Sequence, residues 1–352
     1  MTSITLDIGT IGRGTAAGSP VTVLRAPESI AYAPPRTPAA PDDGMLERQE
    51  RALLDAELGN RFQIVRLLGR GGMGAVYLAR DVALHRLVAI KLLVGTAASG
   101  GEERTRFQRE ARLSAQLAHP GIVPLYAYGE TDAFSYMVLQ YVHGESLADR
   151  LRDRGRLTPA ETRQILAELA TSLEYAHRHG VVHRDLKPEN VLIEHETGRA
   201  VLADFGVAVR HWWDGEMTRT RRAYGTPAYM SPEQALGEPD VDGRSDIYAL
   251  GVLGYAMLTG RLPFSAPDFS TLVAQHLHDT PVPIRSVVSG VPAALARIIE
   301  RCLAKQPEGR WRYARDLHAA LTGGPCARIA QFRREVGRWW RRLTPPAADS
   351  TL

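Results

Sequence analysis

Cysteine is nearly absent from this chain of 352 residues, which carries only Cys302 and Cys326. Neither has another cysteine or a histidine at metal-ligand spacing, which argues against a zinc site or a disulfide framework and favours a reducing compartment. No apolar run approaches the roughly 20 residues of a membrane-spanning helix. The first residues also lack the basic and apolar regions of a secretory signal. We therefore expect a soluble, cytoplasmic protein.

Excess charge of one sign is also small, since 43 Lys and Arg face 39 Asp and Glu. The excess is local, because residues 328–342 hold six arginines and one acidic residue, Glu335. The rest of the chain is near neutral, which argues against a nucleic-acid-binding surface spread over the fold. We therefore expect no nucleic acid among the partners.

Composition and apolar periodicity divide the chain into five segments: a disordered arm at 1–44, a short helical lead-in at 45–61, a strand-rich part at 62–140, a helix-rich part at 141–322 and a basic tail at 323–352. The arm is rich in Ala, Pro, Gly and Thr and cannot bury enough apolar surface to offset its ordering entropy. A strand-rich half joined to a helix-rich half predicts an α+β fold.

Shorter patterns predict individual elements. Apolar runs predict strands at 62–68, 76–78, 87–93, 122–127 and 134–142, and shorter apolar runs at 181–182, 191–193 and 201–203 flank the loops that carry the motifs described below. Helical spacing predicts helices at 102–117, 147–151 and 159–179, and mostly helices from 245 to 321.

The basic tail has helical periodicity. Ile329, Phe332, Val336, Trp339 and Leu343 follow one another at spacings of 3, 4, 3 and 4, and arginines occupy the opposite face. Such a helix can lie on an anionic membrane surface. It can equally pack on the helix-rich part with its arginines in solvent, and the sequence leaves both interpretations open.

A glycine-rich string covers residues 69–76. Gly69, Gly71 and Gly74 stand where a loop could approach phosphates with its backbone N–H groups, although this spacing also occurs in dinucleotide-binding folds. A dinucleotide fold needs a helix at the glycines, whereas here a strand-like run follows. Lys91 then comes 17 positions after Gly74. A lone lysine is usually solvated, but one inside an apolar strand needs a partner, and Glu110 is the available one.

The most specific string is His-Arg-Asp-Leu-Lys-Pro-Glu-Asn at 183–190, and Asp-Phe-Gly at 204–206 begins 14 residues after Asn190. An isolated Asp-Phe-Gly would be an ordinary turn. In this order, and together with the glycine string and Lys91, the set resembles the eukaryotic-type (Hanks-type) protein kinases. Leu-Gly-Arg-Gly-Gly-Met-Gly at 68–74 and Arg-Ser-Asp-Ile-Tyr-Ala-Leu-Gly at 244–251 are similar to bacterial serine/threonine kinases.

The resemblance implies a bilobal protein kinase fold, with a small β-rich lobe containing one key helix and a larger helical lobe. It implies transfer of the γ-phosphate of Mg-ATP to Ser or Thr hydroxyls of protein substrates, autophosphorylation and a role in signalling. Asp185 would accept or orient the substrate hydroxyl proton, and Lys187 would contact the γ-phosphate. Lys91 would bind the α- and β-phosphates while Glu110 holds it in place.

The same resemblance implies a nucleotide and metal site. Asn190 and Asp204 would supply hard oxygen ligands for Mg²⁺, with Mn²⁺ as an alternative. The residues implied to surround ATP are Leu68, Gly69, Gly71, Gly74, Val76, Ala89, Lys91, Gln140, Val142 and Leu192.

Two strings bear on substrate class. Lys187-Pro188-Glu189 and the run from Gly225-Thr226-Pro227 to Ser231-Pro232-Glu233 resemble serine/threonine-directed rather than tyrosine-directed kinases. Thr226 would bond the catalytic aspartate and lysine, or would be a plain turn residue. Architectural roles are implied for Asp246, bonding the catalytic-loop backbone, and for a pair of Glu233 with Arg310.

Regulation is implied at the loop that follows Asp204. Arg184 often pairs in this family with a phosphate on that loop, and Thr218 and Thr220 are spaced like an autophosphorylated pair. Both threonines can instead be plain solvated residues. Phosphothreonine-binding partners and a homodimer formed through the strand-rich lobes stay open.

Two rival functions have to be weighed. The first is a pseudokinase scaffold, which has no chemical need for Lys91, Asp185, Asn190 and Asp204 together. All four are present, which argues against a scaffold. The second is a small-molecule kinase, which needs no surface for binding a peptide. The run from 225 to 233 is typical of a peptide-binding surface, which argues against this alternative.

Overall fold

The computed structural model describes residues 43–71, 74–94, 101–205 and 227–323. The strands are β1 Phe62–Gly71, β2 Gly74–Asp81, β3 Arg86–Val94, β4 Leu125–Glu130, β5 Phe134–Gln140, β6 Gly144–Ser146, β7 Val191–Glu194 and β8 Ala200–Leu202. The helices are α1 Asp43–Leu58, α2 Gly101–Ser114, α3 Leu147–Arg154, α4 Pro159–Arg178, α5 Pro232–Ala235, α6 Gly243–Thr259, α7 Phe269–His278, α8 Ile284–Val287, α9 Ala293–Cys302 and α10 Ala314–Thr322.

The strand-rich lobe is one antiparallel sheet in the order β1-β2-β3-β5-β4. Side chains alternate between the two faces of such a sheet. One face packs on α1, where Leu54 and Leu58 join an apolar cluster with Tyr77. The other face packs on α2, where Phe107 contacts a cluster that includes Met137. Each face of the sheet thus packs on one helix.

The helix-rich lobe is built around α6. Every residue of α6 from Ser245 to Thr259 is buried, and its sequence is apolar on all sides, as expected for a central helix. Asp242 caps its first turn through the backbone N–H of Arg244, and Gly260 ends it at a φ of 68°, a left-handed conformation that favours glycine. Because α6 has little freedom to move, polar groups on its first turn can serve as fixed anchors.

The α+β, two-lobed fold expected from the sequence is confirmed. Some predicted elements differ in detail: the strand predicted at 122–127 begins only at Leu125, because Pro124 has no N–H to donate and Ile122 forms only an isolated bridge to Leu202. The helix predicted to Leu117 ends at Ser114. Of the three shorter apolar runs, those at 191–193 and 201–203 overlap β7 and β8, whereas 181–182 is not a strand, and β6 was not predicted.

Several predictions fall outside the described residues: the disordered arm, the basic tail helix, Cys326, Thr218, Thr220 and Thr226.

Cys302 is a free thiol buried under α6, and burial raises its pKa to about 12. Among the helices that the structure describes, none is long and apolar enough to cross a membrane.

Candidate active site

Asp246 anchors the loop that carries the 183–190 string. From the first turn of α6, its carboxylate accepts from the backbone N–H of His183 at 2.9 Å and from that of Arg184 at 2.8 Å. His177, at the end of α4, bonds the same carboxylate at 2.7 Å. Burial opposes the charge of Asp246, but these donors outweigh it and hold its pKa below the ordinary value. Three segments of chain thus meet on one buried carboxylate.

The ring of His183 connects this loop to the strand before the Asp-Phe-Gly string. Its Nε2 lies 3.0 Å from the carbonyl oxygen of Ala203, which can only accept, so Nε2 carries the proton. Its Nδ1 then accepts from the backbone N–H of Asp185 at 3.3 Å. The imidazole is a structural link between the two segments, and it fixes the backbone direction at Asp185.

The catalytic-loop side chains converge on Asp185. Lys187 Nζ donates to Asp185 Oδ2 at 2.7 Å, and Asn190 Nδ2 donates to the Asp185 carbonyl at 2.8 Å. Since the amide nitrogen of Asn190 is bonded in this way, its Oδ1 is the atom left for a cation. The carboxylate of Asp185 is about one-fifth exposed, so it remains open to the cleft.

A second cluster lies between the lobes around Lys91. Its Nζ is 2.6 Å from Glu110 Oε1 of α2 and 3.1 Å from Asp204 Oδ1. Lys91 and Glu110 are buried, whereas the side chain of Asp204 is 37% exposed on the cleft. The partner expected for Lys91 from the sequence is therefore present, and Asp204 joins the pair from the helical lobe.

The charges of this cluster favour the binding of a further cation. Burial opposes the charge of Lys91, but Asp204 and Glu110 outweigh it and raise its pKa. Desolvation likewise opposes the charge of Asp204, and Lys91 outweighs it and lowers the pKa of that carboxyl. For Glu110, burial outweighs the attraction of Lys91, so its pKa is raised. One ammonium serves two carboxylates, and an additional positive charge beside Asp204 would be favourable.

The residues implied to surround adenine occupy two neighbouring surfaces. Val76 and Lys91 are register partners, and Ala89 pairs with Leu139, so these side chains share the sheet face opposite α1. Val142 and Leu192 belong to one apolar cluster at the junction of the lobes.

Of the other residues of the implied adenine slot, Gln140 ends the interior strand β5 and Leu68 lies in the edge strand β1. The N–H of Gln140 is bonded to the Pro124 carbonyl at 3.0 Å. Leu68 stands at an irregularity in the pairing of β1 with β2.

The glycine-rich string includes the end of β1 and the start of β2, where Gly71 pairs with Gly74. Gly74 has a φ of 120°, and a Cβ there would lie 1.9 Å from the Leu92 carbonyl oxygen. Only glycine fits this position. Gly69 has no atom within 4 Å of the position that a Cβ would take, so the space on that side of its backbone is open.

The expected pair of Glu233 and Arg310 is present and fully buried. Arg310 Nη1 and Nη2 donate to the two oxygens of Glu233 at 2.6 and 2.8 Å. The remaining three N–H groups of the guanidinium donate to the carbonyls of Ala304, Lys305 and Arg244. All five donors are thus satisfied, which is what a buried guanidinium requires.

Several contributors were not found from the sequence. His177 bonds Asp246, Ser245 donates to Glu233, and Gln234 Nε2 donates to the Arg184 carbonyl at 2.8 Å. Isolated histidine, serine and glutamine residues give no sequence signal for such contacts. Arg184 itself has a φ of 65° and Asp204 a φ of 52°, a left-handed backbone that local sequence does not predict.

The donor set can be tested against a metal ion. No cluster of three or more His, Cys, Asp or Glu side chains suited to a metal occurs in the segments that the structure describes. The available donors are one carboxylate, Asp204, and one amide oxygen, that of Asn190. Mg²⁺ is commonly held by one or two carboxylates together with water and substrate phosphates, so the residues fit Mg²⁺ bound with a nucleotide.

The buried carboxylates predict a dependence of stability on pH. The pKa values of Asp246 and Glu233 are lower in the folded state than in the unfolded chain, so their stabilisation is lost as pH falls through the folded values. We expect the urea midpoint to fall steeply below about pH 5. In Asp246→Asn, the midpoint should be lower at neutral pH and fall less steeply in acid. Equal slopes for the two proteins, measured by fluorescence between pH 7 and 3, would contradict this expectation.

Known proteins share both the sequence pattern and the fold. Residues 62–320 match the protein kinase domain family. Serine/threonine-protein kinase PknB of Mycobacterium tuberculosis is 38% identical over 271 residues, which cover 76% of this chain and 43% of PknB. PrkC of Bacillus subtilis is 38% identical over 269 residues, covering 76% of this chain and 41% of PrkC. The chain thus spans less than half the length of these curated relatives.

A solved structure is similar over the same region. The PknI kinase domain of Mycobacterium tuberculosis, crystallised as a double mutant, matches with a TM-score of 0.59 and 30% sequence identity. The match covers 74% of this chain and 95% of the PknI domain. Family match, relatives and fold agree, and this chain belongs to the protein kinase family, alongside the bacterial serine/threonine kinases.

Proposed function

We propose that this chain is an active serine/threonine protein kinase that transfers the γ-phosphoryl group of ATP to Ser or Thr hydroxyls of proteins. The observation that carries the proposal is the convergence of two clusters in one cleft, Asp185 with Lys187 and Asn190, and Asp204 with Lys91. Phosphoryl transfer depends on positioning and charge neutralisation, and these are the groups it requires.

The contacts support a role for each catalytic-loop side chain. Asp185 has a cleft-facing carboxylate, so it can accept or orient the hydroxyl of a substrate. Lys187, which is bonded to Asp185, would bring its positive charge to the γ-phosphate. A positioned proton acceptor, the role proposed for Asp185, typically contributes about 10²–10⁴-fold to a rate.

The second cluster suits the nucleotide. Lys91 is held by Glu110 and is fully charged, so it can bind the α- and β-phosphates. Asp204 and Asn190 would hold the divalent metal ion, whose charge neutralises the phosphates when ATP is bound. The donor oxygens favour Mg²⁺, and Mn²⁺ takes the same ligands.

The remaining implied residues complete an ATP cleft in this proposal. The backbone of Gly69, Gly71 and Gly74 would cover the phosphates. The adenine ring would lie among the side chains of Leu68, Val76, Ala89 and Leu192 and the backbone of Gln140 and Val142. Because the N–H of Gln140 is already bonded, its contact with adenine falls to its carbonyl oxygen. The boundary between the lobes would lie at residues 140 and 141.

Regulation and location extend the proposal beyond the described residues. Phosphates on Thr218 and Thr220 would pair with Arg184 and order the loop, and Thr226 would bond Asp185 and Lys187. The enzyme would act in the cytoplasm on protein substrates. Phosphothreonine-binding partners, a dimer through the strand-rich lobes and an anionic membrane surface for the tail are further partners to test.

The test is transfer of labelled γ-phosphate by the purified protein with Mg²⁺, with and without a generic Ser/Thr substrate protein. We expect the wild type to label itself, with mass spectrometry placing phosphate on Thr218 or Thr220, and Asp204→Asn to be silent because it loses the metal carboxylate. A wild type that binds ATP but transfers no phosphate would instead support a scaffold function. Labelling of small metabolites but of no protein would support a small-molecule kinase.

A further inference from the structure

Helix α1 lies outside the segment 62–320 that matches the kinase family, yet it is fixed to the strand-rich lobe. Leu54 and Leu58 are buried against the sheet face opposite α2. Arg51 Nη2 also donates to the Ile64 carbonyl at 3.1 Å. Apolar and polar contacts together make α1 a part of this lobe.

Glu50 is the one acidic residue of α1 that the structure shows to be buried, with 4% of its surface exposed. Its two carboxylate oxygens accept from Arg70 Nη1 and Nη2 at 2.7 Å each. Tyr77 donates its hydroxyl to the same carboxylate at 2.7 Å. Paired guanidinium–carboxylate bonds of this kind are charge-assisted and geometrically specific, and they are about twice as strong as neutral hydrogen bonds.

Arg70 stands between Gly69 and Gly71, in the loop proposed to cover the ATP phosphates. It pairs with Ala75 near the closed end of the β1–β2 hairpin. Glycine has wide conformational freedom, so the pairing of Gly69 and Gly71 with β2 restrains this end of the hairpin less than it would restrain other residues. Ala75, the register partner of Arg70, belongs to the apolar cluster on the α1 face, so the bond to Glu50 restrains the position of the loop from the side of the sheet away from the cleft.

We propose that Glu50 is a positioning residue for nucleotide binding, acting through Arg70 to fix the position of the glycine-rich loop at the nucleotide site. The inference rests on the proposed function, which identifies the ligand as a Mg²⁺-bound nucleoside triphosphate. A loop that is already held in place loses less conformational entropy when the nucleotide binds, so affinity increases without a new contact to the ligand. Helix α1 is in this way a component of the nucleotide site.

Glu50→Gln removes the charge with little change of shape. Calorimetric titration with a non-hydrolysable ATP analogue and Mg²⁺ should show a dissociation constant raised about 5- to 20-fold, as expected from partial loss of a charge-assisted bond. The KM for ATP should rise in parallel, while kcat and the KM for a protein substrate stay within about twofold, the pattern of lost ground-state binding.

Two control variants separate positioning from loss of structure. Glu57→Gln changes an exposed acid of the same helix and should bind the analogue like the wild type. Leu54→Ala loosens the packing of α1 but leaves the ion pair, so it should lower the melting temperature with at most a twofold change in the dissociation constant. If Leu54→Ala weakens binding as much as Glu50→Gln does, the effect is structural and the inference is overturned.

A double-mutant cycle tests the route through Arg70. In an Arg70→Gln background, Glu50→Gln should have little additional effect on the dissociation constant, because the partner is already absent. Additive effects, or an unchanged constant in Glu50→Gln alone, would overturn the inference. If the wild type transfers no phosphate but this pattern holds, only the proposed function fails. If it transfers phosphate and the pattern is absent, only the present inference fails.

Discussion

Replacement of Asp185 by asparagine is expected to lower kcat for phosphoryl transfer by about 10²–10⁴-fold, the usual contribution of a positioned proton acceptor. Asparagine keeps the size of the side chain, so the bonds of the loop backbone to Asp246 should persist. Nucleotide affinity, measured by the same calorimetric titration, should change by no more than a few fold.

The control for this prediction is Asp153→Asn, an exposed acid on α3 with the same change of charge. It should retain wild-type kcat. An Asp185→Asn variant with more than a tenth of wild-type kcat would show that this carboxylate is not the group that handles the substrate proton. A variant that loses nucleotide affinity by orders of magnitude would point to collapse of the loop instead.

Arg310→Leu is expected to lower the free energy of unfolding by about 3–5 kcal/mol, because it leaves the buried carboxylate of Glu233 without its partner. Three backbone carbonyls that now accept from the guanidinium would also lose a donor. The measurement is urea denaturation at pH 7, followed by tryptophan fluorescence and circular dichroism.

Two variants sharpen the test of the buried pair. Arg315→Leu removes a half-exposed pair with Glu174, which should cost less than about 1 kcal/mol. The double variant Arg310→Leu with Glu233→Leu removes both charges and should recover part of the loss. A loss below 1 kcal/mol for Arg310→Leu alone would contradict the importance assigned to this pair.

The two-lobed fold could be predicted from the sequence, because strand-like runs dominate before residue 140 and helical patterns dominate after it. The groups expected in the cleft were inferred from strings such as 183–190, through their resemblance to a known family. Lys91 and Glu110 could be paired before the structure was known, because a lysine within an apolar strand needs a partner. Most strand positions in the strand-rich lobe also followed from short apolar runs, but Pro124 displaced the start of β4, and the three-residue strand β6 was too short to give a pattern.

Contacts between distant single residues could not be predicted. Glu50 is 20 positions from Arg70, and His177 is 69 positions from Asp246. Each of these residues has an ordinary local context, and its partner is determined by how helices and strands pack in three dimensions. The energetic links between α1 and the glycine-rich loop, and between α4 and the catalytic loop, are therefore visible only in the folded chain.

The left-handed backbone at Asp204 determines which substitutions there can be interpreted. Its φ is 52°, a region where most side chains cost about 1–2 kcal/mol but where Asp and Asn are tolerated best. An alanine at this position would combine loss of the carboxylate with a backbone penalty, and a lost activity could be assigned to neither. Asparagine changes the charge alone, and glycine would relax the backbone while removing the side chain. Comparing these three variants would divide the contribution of Asp204 into a part from its charge and a part from its conformation.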